Sequence, residues 1–245
     1  GRRRGLHARP EVPRRVIAPL GYAGILLALV SAATLIIQGG RVFLTDADTN
    51  RLRLPTWGLL IGGAIAMGTL ELALLTDDFS IEYVARNHSR DTPLLFTIAS
   101  AWAALEGSIV LWGLVLAGFA FAALRGLETT DKAGAGAMAV IGIVALFFFG
   151  LMATAANPFS TLEVVPLDGS GANPLLQNHI LMAIHPPMLY LGYIGMTVPF
   201  AFAISALAAG DGSSTWLKRT RRWSLLAWTF LTFGIILGGW WSYEV

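Results

Sequence analysis

No cysteine occurs among the 245 residues, and that absence alone removes several kinds of chemistry. A disulfide framework, a thiolate nucleophile, a Cys-ligated zinc and a Cys-anchored iron–sulfur cluster are all excluded. Any metal held by this chain must be bound through nitrogen or oxygen. Charge is scarce as well: Asp, Glu, Lys and Arg make up 13% of the residues, against 55% hydrophobic and a mean hydropathy of +0.64. A soluble domain carries roughly a quarter charged residues, so an integral membrane protein is expected. The sequence has no Walker P-loop, no G-x-G-x-x-G after a strand, no H-E-x-x-H and no G-x-S-x-G. Nucleotide-dependent and protease chemistry therefore has no support. No internal repeat of about 20 to 50 residues and no Pro-rich or Gly/Ser-rich linker divides the chain.

What is present is apolar length. One crossing needs about 20 apolar residues, and six runs qualify: 16–38, 57–76, 94–124, 134–156, 187–208 and 223–243. An all-α polytopic membrane protein with about six transmembrane helices follows. The third run exceeds one crossing, so a segment from Pro93 to Ala104 that lies along the interface or re-enters before Glu106 stands beside a single long helix. The net charge of +2 hides a crowd of arginines in the first fifteen residues: Arg2, Arg3, Arg4, Arg9, Arg14 and Arg15. This tail resembles the n-region of a signal peptide, but the run behind it is too long for an h-region and lacks a clear A-x-A site. The expected division is a basic tail, 1–15, that meets anionic lipid and not nucleic acid, and one membrane domain, 16–245. The chain opens without Met and stops at Val245 directly after an aromatic cluster, so it is read as a fragment.

Orientation follows the Lys and Arg of short loops. Connections after spans one, three and five carry Arg41, Arg51, Arg53, Arg125, Lys132, Lys218, Arg219, Arg221 and Arg222; those after spans two and four carry Arg86 and Arg90. The first set is expected in the cytoplasm. The tail runs against the same rule, and the mutually consistent internal loops are given more weight. Loops 77–93 and 157–186 and the pair Trp240-Trp241 then share the outer face.

Four histidines are candidates for chemistry. His7 lies in the tail. His88, in Arg86-Asn87-His88-Ser89-Arg90, reads most simply as a solvated loop residue, with a contact to a partner or an anionic propionate as the sharper reading. His179 falls in a segment, 175–184, compatible with a short interfacial helix, and reads first as a loop histidine bonded to backbone. His185 opens His185-Pro186-Pro187. Proline biases its predecessor toward extended backbone and suits the first helical turn, so His185 is expected just outside the helix at its N-terminal end. There it is either a helix-capping histidine or a metal ligand, and imidazole is a common axial ligand of haem iron. Glu71 and Glu106 lie within apolar runs, where an ionisable group suggests function by default. Glu106 falls near the middle of its long run; a proton or cation path is one reading of these acids and a neutral carboxyl joining helices the other. Most tryptophans fall toward span ends and read as interface anchors. The cluster Trp240, Trp241, Tyr243 and Glu244 is denser than anchoring needs and suits a stacked porphyrin.

Four blocks in fixed order are more specific than any one residue: Asn157-Pro158-Phe159, Pro166-Leu167-Asp168-Gly169, Asn173-Pro174-Leu175-Leu176-Gln177, and His185-Pro186-Pro187-Met188-Leu189-Tyr190-Leu191-Gly192-Tyr193. With Asp78-Phe79-Ser80-Ile81-Glu82-Tyr83-Val84, Glu106-Gly107-Ser108 with Leu111-Trp112, and Gly238-Gly239-Trp240-Trp241-Ser242-Tyr243-Glu244, they resemble the CcmF/NrfE family of cytochrome c maturation proteins. The resemblance implies a transmembrane cytochrome c assembly domain of the bacterial inner membrane with His185 on the periplasmic face. It implies haem as cofactor, delivered by a haem carrier protein and attached to apocytochrome c in company with other maturation subunits. It also implies His185 as iron ligand, with Pro186, Pro187, Tyr190, Trp240 and Trp241 around the porphyrin. Leu105 stands where that family commonly has a histidine, and the chain stops before the family's Trp-rich core and second external histidine. Half a haem site, and no catalysis by this chain alone, is the expectation. An ion- or proton-coupled transporter using Glu71 and Glu106 and a non-catalytic structural subunit are the rival readings.

Overall fold

The computed structural model describes residues 14–45, 47–171 and 179–244, Arg14 and Arg15 by backbone alone. The rest of the basic tail with His7, the 173–177 block and the first four residues of the expected interfacial segment lie outside the described residues. Six helices are long and apolar enough to cross a membrane: Val16–Thr45, Thr49–Leu75, Leu105–Leu124, Lys132–Ala153, Leu181–Ala208 and Thr215–Glu244. All six expected runs are represented, and the chain is an all-α polytopic membrane protein. We label the α-helices α1 (Arg14–Thr45), α2 (Arg53–Leu75), α3 (Glu82–Asn87), α4 (Leu94–Ala99), α5 (Leu105–Leu124), α6 (Lys132–Ala153), α7 (Leu181–Gly195), α8 (Thr197–Ala208) and α9 (Thr215–Glu244).

The helix ends differ from the apolar runs for identifiable reasons. The first helix continues past residue 38 to Thr45, because Gly39 packs against the backbone of Ala135 and Ala139 of α6. The third run is two pieces: α4 and a 3-10 turn, Ser100–Trp102, precede an extended Ala104 (φ −131°, ψ 172°) from which α5 starts. The fifth span is jointed at Met196, between α7 and α8. Pro199 has no N–H for the carbonyl of Gly195, so one rung of the helical ladder is missing there. The sixth helix starts at Thr215, two turns before the apolar run, and so carries Lys218, Arg219, Arg221 and Arg222 on its surface.

Association of apolar helices in lipid has no hydrophobic drive and depends on close packing, which small residues permit. Accordingly α1 lies against α2 where Gly24 and Gly62 face each other's backbone. The core between α1, α2, α5 and α6 is filled by Ile25, Leu35, Leu59, Leu70, Leu116, Met138, Ile141 and Phe149, none more than 1% exposed. Helix α8 packs on α6, and α7 lies between α5 and α9. Helix α9 is the least buried of the six.

Loops tie the two ends. At one end the Thr49 hydroxyl donates to the Glu128 carbonyl at 2.9 Å. Asp131 accepts the Gly134 N–H at 2.8 Å, capping α6, and pairs with Arg219 of α9. At the other end, Ile81 and Thr161 form an isolated antiparallel bridge, flanked by Glu82 N–H to Ser160 carbonyl (2.8 Å) and Leu162 N–H to Ser80 carbonyl (2.9 Å). Loops 77–93 and 157–171 therefore share one end, as the sequence reading placed them.

Candidate functional site

His185 does not lie outside its helix. It is the fifth residue of α7, and Pro186 and Pro187 follow within the helix. The first turn of α7 is tight: Met182 N–H bonds the His179 carbonyl and Ala183 N–H the Ile180 carbonyl. The prolines thus fall in the second turn, where they deprive the carbonyls of Met182 and Ala183 of their donors. Tertiary packing overrides the local bias. Gly192 of α7 faces the backbone of Leu231, and Gly234 of α9 faces the backbone of Leu189, so the two helices run in close contact and hold the proline turn helical.

That contact sets the histidine. Its Nδ1 lies 2.7 Å from the Gly234 carbonyl, and a Cβ on Gly238 would run into the imidazole ring. The imidazole is seated in a notch left by Gly238 and is held there by the carbonyl of Gly234, one turn earlier on α9. A carbonyl only accepts, so Nδ1 carries the proton and, in the neutral ring, Nε2 keeps a lone pair. No protein group among the described residues bonds Nε2. A backbone-held Nδ1–H with a free Nε2 is the usual arrangement of a metal-ligating histidine. The Trp241 ring lies 5.8 Å away, centroid to centroid.

Beside this pair opens a cavity of about 350 Å³, lined by Trp102, Ser108, Pro186, Leu189 and Tyr190 among others. The Tyr190 hydroxyl shares a hydrogen bond with Ser108 (3.1 Å), and its ring meets Trp112 edge-on at 5.4 Å. The indole N–H groups of Trp102 and Trp241 are buried without a hydrogen-bond partner among the described residues. A mostly apolar wall with one unengaged imidazole nitrogen and an indole face fits one side of a flat, metal-bearing macrocycle.

The other expected residues divide. Trp240 turns away from this cavity; its Nε1–H donates to Glu244 at 3.0 Å and its ring approaches His179 at 6.4 Å. Consecutive residues of a helix point about 100° apart, so the two tryptophans do not form one platform. His179 accepts the Leu181 N–H at 3.2 Å, the backbone-bonded role read for it. Pro187 lies outside the cavity lining.

His88 is not solvated. It is 2% exposed, with Nε2 2.8 Å from Asp77 Oδ1 and its ring stacked on Phe79 at 5.9 Å. Asp77, at φ 54°, occupies the left-handed region that ends α2. Glu106 is not in mid-span either, because α5 starts at Leu105; it lies in the first turn and lines a second, polar cavity of about 210 Å³ with Glu82, Tyr83, Arg86, Asn87 and Asn157. Burial raises the Tyr83 hydroxyl well above the ordinary phenol value, with the Glu106, Tyr190 and Glu71 groups nearby adding to it. That hydroxyl donates to the Ser100 carbonyl at 2.7 Å. Glu71 Oε2 is buried without a partner among the described residues. The sequence reading missed Ser108 and the Gly234/Gly238 notch; a small-xxx-small spacing is the signal that points to the latter.

Residues 102–245 match the family described as Cytochrome C assembly protein. The chain is 39% identical over 234 residues to "Cytochrome c-type biogenesis protein CcmF" of Pseudomonas aeruginosa, covering 93% of this chain and 35% of that protein. It is 42% identical over 234 residues to "Cytochrome c-type biogenesis protein ccl1" of Rhodobacter capsulatus, with the same coverage of each. The solved structure "Cytochrome c Heme Lyase CcmF" superposes with a TM-score of 0.82 at 37% identity, covering 98% of this chain and 38% of that one. The chain thus spans about a third of the length of the relatives it matches. With a family match over more than half of its residues and a shared helical fold, this chain belongs to the cytochrome c assembly protein family, in its CcmF/NrfE group.

Proposed function

We propose that this chain handles haem during cytochrome c maturation, with His185 as the residue that would hold the iron at the cavity it shares with Trp241 and Tyr190. The observation that carries the reading is the His185 Nδ1–Gly234 bond, which leaves Nε2 unengaged beside an apolar cavity. Trp241 supplies an aromatic wall, Pro186 a rigid apolar edge, and Tyr190 is held in place by Ser108. Trp240 and Pro187 stand further out, next to the same helix end. Haem brings the chemistry of a vinyl-bearing macrocycle that forms thioethers with cysteines, and a chain without cysteine cannot capture it in their place. A haem carrier and apocytochrome c are the partners this role requires, at a multi-pass bacterial inner membrane protein. The Lys/Arg asymmetry supports placing the His185 end on the periplasmic face. The domain reading is one membrane unit over 16–245.

The test is His185→Ala in the polypeptide that carries this chain, expressed in membranes lacking other haem lyases. Haem retained through purification, read by its Soret absorbance, and the yield of holocytochrome c should both fall at least about tenfold. Retention and yield at the unsubstituted level would overturn the reading. Glu71→Gln and Glu106→Gln should leave both readouts in place; loss there with His185→Ala silent would favour proton- or ion-coupled transport.

A further inference from the structure

The end of the bundle away from His185 holds a second cleft that haem handling does not use. From Arg222 to Trp241 along α9 is about 28 Å at helical rise, so the two sites lie at opposite boundaries of one span. Three of the four cations in the first turns of α9, Lys218, Arg219 and Arg222, line a cleft of about 620 Å³ with Gly126, Trp223 and Leu226.

Its walls are fixed. Arg219 donates to Asp131 Oδ1 at 3.0 Å and lies over the Phe202 ring at 5.4 Å. Trp223 meets Phe119 edge-on at 6.2 Å. The mouth is open at Gly126, where even a Cβ would touch nothing nearer than the Ala123 carbonyl at 3.5 Å. Asp131 thus answers the charge of Arg219, whereas Lys218 and Arg222 are exposed and have no ion-pair partner among the described residues. The order along α9 is cations, then an indole, then the aliphatic Leu226. That is the order of phosphate, glycerol and acyl chain across a leaflet. The general excess of Lys and Arg at one membrane face accounts for how many cations lie at this end, not for three of them opening on one cleft.

We propose that this cleft binds an anionic phospholipid, with the headgroup phosphate between Lys218 and Arg222 and an acyl chain along Trp223 and Leu226. A free phosphate ion would meet the same two cations but would leave the apolar wall uncovered.

The purified protein, in zwitterionic detergent, is titrated with phosphatidylglycerol or phosphatidylcholine and bound lipid is counted by native mass spectrometry. Phosphatidylglycerol should be retained in preference, and Lys218→Gln or Arg222→Gln should each weaken retention about fivefold. Arg221→Gln removes the same charge outside the cleft lining and should change nothing. Leu226→Trp, which keeps every charge but fills the acyl track, should also release the lipid. Millimolar inorganic phosphate at matched ionic strength should not displace it. Equal losses for Arg221→Gln and Arg222→Gln, no preference for phosphatidylglycerol, retention by Leu226→Trp, or displacement by phosphate would each overturn the proposal.

Discussion

Because a main-chain carbonyl has no proton to give, Gly234 decides which nitrogen of His185 is free, and one neighbour outside the cavity thereby sets the chemistry inside it. The same residue-level logic covers Tyr83. Its hydroxyl is buried and donates to the Ser100 carbonyl, so Tyr83→Phe should destabilise the fold by about 0.5–1.5 kcal/mol, read by thermal unfolding in detergent. Asp168 provides a pH-dependent contact. The N–H of Arg90 and then that of Gly169 hold its carboxyl below the ordinary value of 3.8. A carboxyl with a depressed folded value contributes stability that is fully present above the unfolded value and is lost as pH falls through the folded one. The chain has no cysteine, so a dye on Val164→Cys labels only that loop. Its anisotropy should stay flat from about pH 7 to pH 4 and drop below that, and Asp168→Asn should remove the step. At this scale the sequence was informative about identity and poor about environment. The His-Pro-Pro block singled out His185, but the proline bias that placed it outside the helix is a local preference, and the α7–α9 contact outweighs it. His88 read as solvated because its neighbours are charged; in the fold Asp77, eleven residues earlier, bonds its ring and Phe79 stacks on it.

Among the elements, the α7–α9 contact is the one most open to test. A Cβ at Gly192 would meet the backbone of Leu231, whereas a Cβ at Gly239 of α9 would meet nothing within 4 Å. Gly192→Ala should therefore cost about 1–3 kcal/mol through overpacking, and Gly239→Ala should be neutral or slightly stabilising. Paired melting curves in detergent distinguish the two, and the first variant should also loosen haem retention if His185 ligates it. Apolar length gave the number of spans directly, since no other solution exists for such runs in lipid. It gave the joints unevenly: the excess length of the third run already admitted a separate segment from Pro93 to Ala104, as found, whereas the joint at Met196 does not interrupt the hydrophobicity. Pro199 was the visible sign of the latter. The basic start of α9 read as a loop because charge, not backbone, ended the apolar run.

For the molecule as a whole, the pairing of loops 77–93 and 157–171 at one end and of 47–52 with 125–131 at the other follows from an up-and-down order of spans, which the run count already contained. Val164→Cys and Thr130→Cys should accordingly react with a membrane-impermeant thiol reagent from opposite sides of a sealed vesicle, with Val164→Cys labelled from the periplasmic side. Labelling of both from one side would break the topology, and a reversed pattern would break the orientation drawn from Lys and Arg. The second haem ligand that the family resemblance implies has no sequence signal within these residues. The anchoring of His185 has a last consequence for how such a protein tolerates change. Its acceptor is main chain, so no replacement at position 234 can abolish the carbonyl; only bulk can push it out of reach. The site is therefore indifferent to the chemistry of that residue and intolerant of its volume, and sequence drift along α9 is limited by size before it is limited by polarity.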